Sequence, residues 1–149
     1  MKLGWPAALL CAALGMPRDA SATLGEPEAS VQADTVQLQG SMKALDRDGY
    51  RVHEIQLPSG TSVREYSVPD GTVFAIAWSG PFMPNLRQML GRYFDEYAAA
   101  AAAVQGDHRH LEVRRGDLVV QVGGHMRAYA RRAYLPAAIP SGVSIGALQ

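Results

Sequence analysis

Tyr50 to Trp78 reads YRVHEIQLPSGTSVREYSVPDGTVFAIAW, and its punctuation decides the fold. Three β-rich runs, Tyr50 to Leu57, Thr61 to Val68 and Thr72 to Trp78, are separated by Pro58-Ser59-Gly60 and Pro69-Asp70-Gly71. Proline suits the first position of a type I turn, and glycine suits the position where φ must be positive. Two three-residue loops in series therefore predict a three-stranded antiparallel meander. Pairing Leu57 with Thr61 sets His53 opposite Glu65 and Ile55 opposite Val63. Pairing Val68 with Thr72 sets Tyr66 opposite Phe74 and Arg64 opposite Ile76. One face then holds His53, Ile55, Leu57, Val63, Glu65, Val73, Ala75 and Ala77. The other holds Val52, Glu54, Arg64, Tyr66, Phe74, Ile76 and Trp78. The third run is apolar on both faces, so it belongs at the centre of a sheet covered on both sides.

Downstream, Ser79 to Pro84 is a Gly/Pro loop and Asn85 is a good helix cap. Leu86, Met89, Leu90, Tyr93, Phe94 and Tyr97 follow the i, i+3, i+4, i+7 spacing of one amphipathic helix over about 85–104. Arg87, Arg92, Asp95 and Glu96 fall opposite, Ala98 to Ala103 extend the helix, and Gly106 ends it. A Met and aromatic stripe at this period is a buried face.

A second strand group occupies about 110–134. Leu111 to Arg114 and Asp117 to Val122 flank Arg115-Gly116, read as a two-residue turn that aligns Leu111 with Val120 and Val113 with Leu118. Gly123-Gly124 permits either a further turn or a bulge in a long strand. His125 to Tyr134 is extended, Pro136 to Pro140 breaks it, and the tail adds at most a short edge strand. Arg115-Gly116-Asp117 spells an adhesion tripeptide that a turn explains. The expected architecture is one α+β domain over 23–149. It is an antiparallel meander packed on one long helix, followed by a further antiparallel hairpin.

Upstream, Ser30 starts a short helix through Gln39, with Val31, Thr35 and Leu38 on one side. Thr23 to Ala29 reads as a loose leader and Ser41 to Gly49 as a polar connection. Before them, Lys2, the apolar run Leu3 to Gly15 and the small-x-small signal Ala20-Ser21-Ala22 read as a cleavable signal peptide over 1–22. The run is shorter than the ~20 residues a spanning helix needs and contains Gly4, Pro6 and Gly15. The expected location is the periplasm or the exterior, with no transmembrane segment after cleavage. Cys11, the single cysteine, goes with the signal, leaving no disulfide or thiolate ligand. Leu10 before it argues against a lipoprotein acylation site.

Fourteen basic residues balance fourteen acidic ones, which gives no support for a nucleic-acid partner. After cleavage Lys43 is the only lysine, so arginine supplies nearly all the positive charge. No phosphate-binding glycine loop, dinucleotide fingerprint, H-E-x-x-H or G-x-S-x-G string occurs. No cofactor is expected.

The strings Gly60-Thr61-Ser62-Val63-Arg64-Glu65-Tyr66, Val73-Phe74-Ala75-Ile76-Ala77-Trp78-Ser79-Gly80-Pro81, Gly124-His125-Met126-Arg127 and Ala133-Tyr134-Leu135-Pro136 give the chain a family likeness. It resembles a group of exported bacterial proteins known as domain of unknown function 2844. The resemblance spans most of the chain after the signal and implies a Gram-negative envelope setting. It implies no activity, substrate, cofactor or catalytic residue.

Three constellations bear on chemistry. His53 opposite Glu65 suits acid–base work or a metal second shell, and equally a cross-strand polar pair. His108 and His110 would point to the same side of a strand as two metal ligands, but Arg109 lies between them and a polar turn precedes them. His125 and Arg127, after two glycines, suit a carboxylate or phosphate, and equally a bulge with side chains paired across the sheet. Arg64 and Trp78, placed on Tyr66's face, could line an amphipathic pocket. The expectation is a non-enzymatic binding or envelope-assembly module using Arg64, Trp78 and Arg127. Its partner would be another envelope protein or a small anionic ligand. The alternative is a periplasmic hydrolytic or metal-assisted enzyme using His53, Glu65 and His125, which must then converge.

Overall fold

The computed structural model describes residues 24–69, 71–104, 111–125 and 128–149. Seven strands form one antiparallel sheet: β1 (Ser41–Arg47), β2 (Tyr50–Gln56), β3 (Ser62–Ser67), β4 (Val73–Gly80), β5 (Leu111–Arg115), β6 (Leu118–His125) and β7 (Ala128–Tyr134). Their spatial order is β1-β2-β3-β4-β7-β6-β5. The helices are α1 (Ala29–Gln37), α2 (Leu86–Leu90) and α3 (Phe94–Ala103). The α+β expectation holds at that level, with the second strand group continuing the first sheet. β7 pairs with β4, so the chain returns to the centre of the sheet before the sheet ends at β5.

Both meander loops close as the sequence implies. The Leu57 N–H donates to the Thr61 carbonyl and the Val68 N–H to the Thr72 carbonyl, each at 2.9 Å. Gly60 and Gly71 take φ of +85° and +87°. His53 lies opposite Glu65 and Ile55 opposite Val63. β4 is central and buried from Val73 to Trp78.

The β3–β4 register departs from expectation beyond Ser67. Ser67 faces Val73, but Tyr66 faces Ala75, so Phe74 is an extra residue on β4. This bulge exchanges the faces of everything beyond it. Ile76 and Trp78 join Ile55 and Val63, while Phe74, Ala75 and Ala77 join Tyr66 and Val52. The bulge lets Phe74 stay beside Tyr66, their ring centroids 6.2 Å apart.

Other corrections follow from pairing that local pattern does not reveal. Ser41–Arg47 is a strand, joined to β2 through Asp48-Gly49, with Gly49 at φ +81°. It is an edge strand and mostly exposed, so it lacks a hydrophobic alternation. The turn between β5 and β6 is Gly116-Asp117, with Leu111 opposite Val122 and Val113 opposite Val120. Gly116, at φ +50°, takes the first turn position. The shift is two residues, so the apolar face is preserved. Gly123 and Gly124 make neither a turn nor a bulge; β6 runs through them in register with β7. The long helix is broken where Gly91 adopts φ +45°, and one 3-10 turn links α2 to α3.

One face of the sheet packs on the helices: Leu24, Val31, Met89, Leu90 and Ala100 join Ile55, Val63, Ile76, Trp78 and Val120 in one core. Leu24 is fully buried, and Pro27 bridges to Thr72, so the described part of the leader is docked rather than loose. The other face packs Val52, Tyr66, Phe74, Val119 and Tyr134 under Leu148 of the C-terminal segment. That segment forms short 3-10 turns rather than an edge strand. Among the described residues no helix is long and apolar enough to cross a membrane.

Candidate functional site

Two places gather functional side chains. The first lies between α1 and the sheet, where β2 supplies His53 and β3 supplies Glu65 and Ser67. Its other members come from the N-terminal segment, which hydrogen-bonds along the start of β4 through the Gly25 N–H to the Val73 carbonyl. That docking delivers Glu28 and, one turn and a half into the helix, Asp34. The His53 Nε2 lies 3.0 Å from Glu28 Oε1 and 3.3 Å from the Ser67 hydroxyl. Arg51 Nη1 donates to the same Glu28 oxygen at 2.9 Å. Burial outweighs Glu28 and pushes His53 below the usual histidine range. Its neutral form then carries the proton on Nε2, aimed at Glu28.

Glu65 does not bond the imidazole opposite. It faces the Asp34 carboxyl, and both residues are 0% exposed. Gln88 of α2 donates its amide to Asp34 Oδ1 at 2.7 Å. Burial first, and the Asp34 charge second, push the Glu65 carboxyl up to about 8. The buried carboxyl can therefore store a proton; Asp34, Glu65, His53 and Ser67 are buried, whereas Glu28 and Arg51 are partly exposed.

The second place is a cavity of about 500 Å³ toward the end of the sheet. Trp78, Arg131, Val122 and Leu111, one cross-strand row over β4, β7, β6 and β5, contribute to its wall. Gln121 and Arg132 of the next row and Leu148 of the tail contribute as well. Arg132 is fixed by Gln121 at 2.7 Å and by the Ile145 carbonyl at 2.6 Å, which seats the tail as a wall. The Trp78 indole N–H is buried and meets no acceptor among the described residues. Beside the cavity, Arg131 Nη1 reaches the Met83 sulfur at 3.3 Å, and Phe82 and Met83 are exposed large apolar side chains. This loop is held firmly, since the Thr61 hydroxyl donates to the Phe82 carbonyl at 2.8 Å.

The sequence-derived residues divide between these places. The bulge puts Arg64 and Trp78 on opposite faces, and Arg64 bonds Glu54 at 2.7 Å and the Gln149 carbonyl. His125 pairs with Ala128 on β6, four strands from His53 in the sheet order. That is on the order of 19 Å at the usual strand spacing, so His125 does not join the His53–Glu65 pair. His108, His110 and Arg127 lie outside the described residues. Among the described residues no three His, Cys, Asp or Glu side chains converge as a metal site. Sequence reasoning missed Asp34, Glu28 and Arg131. Asp34 left a trace, as an acid at i+3 from Val31 on the helix face that also carries Thr35.

No curated protein and no solved structure matches the chain. A model of a family described as a protein of unknown function, DUF2844, matches residues 20–148 and so takes in every strand and helix described above. The chain belongs to that family.

Proposed function

We infer that this protein is a non-enzymatic binding module whose ligand is a small amphipathic anion held in the Trp78 cavity. The observation that carries the reading is a cavity of about 500 Å³ bounded by the sheet and the C-terminal segment, with Arg131 and Arg132 among its lining residues. The volume suits a small molecule, and a chiefly apolar wall with few polar groups is the usual character of such sites. Arg131 and Arg132 outnumber the one carboxylate of the wall, Glu112, and give it a net positive character. A ligand with an apolar body and a carboxylate or phosphate head matches both features.

The same reading places the protein in the Gram-negative periplasm, delivered by cleavage after Ala22. N-terminal sequencing from an envelope fraction should find a chain starting at Thr23; one starting at Met1 would contradict export by cleavage. Of two tryptophans, Trp5 and Trp78, only Trp78 remains after that cleavage. Its fluorescence is thus the sole indole signal, from a residue that contributes to the cavity wall. Titrating the 23–149 chain with decanoate should give a saturable change. Gln121→Phe, on the cavity row that shares the face of the tail, should abolish it while leaving the circular dichroism intact. An equal change in the folded variant, or none in the parent, would sink the reading.

A further inference from the structure

We propose that the outer edge of β5 is a self-association surface, on which a second copy of this chain adds its own β5 antiparallel about a two-fold axis at Val113. β5 ends the sheet, and among the described residues no other segment hydrogen-bonds along its outer side. The two-residue turn at Gly116-Asp117 closes on a hydrogen-bonded pair, Arg115 with Leu118. Alternation along the ladder then turns the backbone N–H and C=O of Val113 toward β6, and those of Glu112 and Arg114 outward. Those outward groups are what an added strand pairs with.

Charge selects the strand and its register. Outward residues must meet outward residues, which leaves two-fold axes at Glu112, Val113 or Arg114. An axis at Glu112 sets that carboxylate against itself, and one at Arg114 opposes two guanidinium groups. An axis at Val113 sets Glu112 of each copy opposite Arg114 of the other, and each such pair exchanges both backbone hydrogen bonds. Glu112 and Arg114 are exposed on the face of the tail and already bond to one another through Arg114 Nε. Pairing extends these contacts into a ring of alternating charges across the joint, with Val113 against Val113 on the helix side.

Charged side chains ordinarily guard an edge against a further strand, but on β5 they complement their own copy. β1, at the other edge, does not do this. Lys43 and Arg47 lie on one of its faces and Asp46 on the other, so no antiparallel register of β1 with itself opposes unlike charges. Leu111 and Glu112 also line the cavity, yet the pairing stands or falls independently of any ligand there.

Sedimentation equilibrium of the 23–149 chain tests this. The parent should move from the mass of one copy toward that of two as its concentration rises to about 1 mM, the range of a small, weak interface. Glu112→Arg and Arg114→Glu each place like charges across the joint, and each variant should remain a single copy. Mixed in equal amounts, the two variants should associate, because every cross-strand pair then joins unlike charges again. Hydrogen exchange gives a reading that needs no variant. In the parent, the amides of Glu112 and Arg114 should gain protection with concentration, while those of Ala44 and Asp46, outward on β1 by the same rule, should not. A parent that stays single throughout would overturn the proposal. So would single variants that pair as well as the parent, a mixture that does not associate, or protection gained on β1 instead.

Discussion

His53 and Glu65 sit opposite one another, yet each answers to a residue from the N-terminal segment. Their cross-strand pairing was legible because loop length fixes the register. Their partners, Glu28 and Asp34, were not, since a segment that docks through tertiary contacts leaves no periodic signal. The two groups affect stability in opposite senses. Glu65, raised to about 8 in the fold, contributes stability that is complete below its ordinary carboxylate range and is lost as pH rises to about 8. His53 is lowered in the fold, so its contribution is present above the usual histidine range and is lost as pH falls through its folded value. Of these two groups, Glu65 is the one that changes strongly between about pH 6.5 and 8, and at about 1.4 kcal/mol per pH unit the loss is on the order of 2 kcal/mol. Urea unfolding at several pH values should show that decline in the parent and a flat profile in Glu65→Gln. A parent profile that rises with pH over this window would contradict the assignment.

At the scale of elements, the hairpin loops and the amphipathic spacing were readable, and the bulge at Phe74 was not. Apolar residues on both faces of β4 made its register silent, because either assignment buries the same residue types. The bulge decides which aromatic enters which core, and so separates Arg64 from Trp78. The helical stripe was read correctly in its face, but Gly91 turns one helix into two. Phe94, at the start of α3, is only half-buried, with the Arg87 guanidinium 4.2 Å above its ring. Phe74 is fully buried. Phe74→Ala should therefore cost about 3–5 kcal/mol, whereas Phe94→Ala should cost about 1–2 kcal/mol. Denaturant melts of the two variants check this, and a larger loss at Phe94 would mean that the helix packs more deeply than described.

Across the whole molecule, one sheet carries two cores, with helices on one face and the C-terminal segment on the other. The alternation of faces in the meander implied two covers, but the identity of the second cover depended on Leu148, far away in sequence. The insertion of β7 between β4 and β6 was equally hidden, because strand order is a property of the assembled sheet. That insertion builds the row Trp78–Arg131–Val122–Leu111, and with it the cavity on which the binding proposal rests. The most direct test is a proton–nitrogen NMR titration of the 23–149 chain with decanoate. The account predicts a saturable shift of the backbone amides of Trp78, Gln121, Val122 and Leu111, which line the cavity. Shifts confined to residues away from the cavity, or none at saturating decanoate, would contradict it.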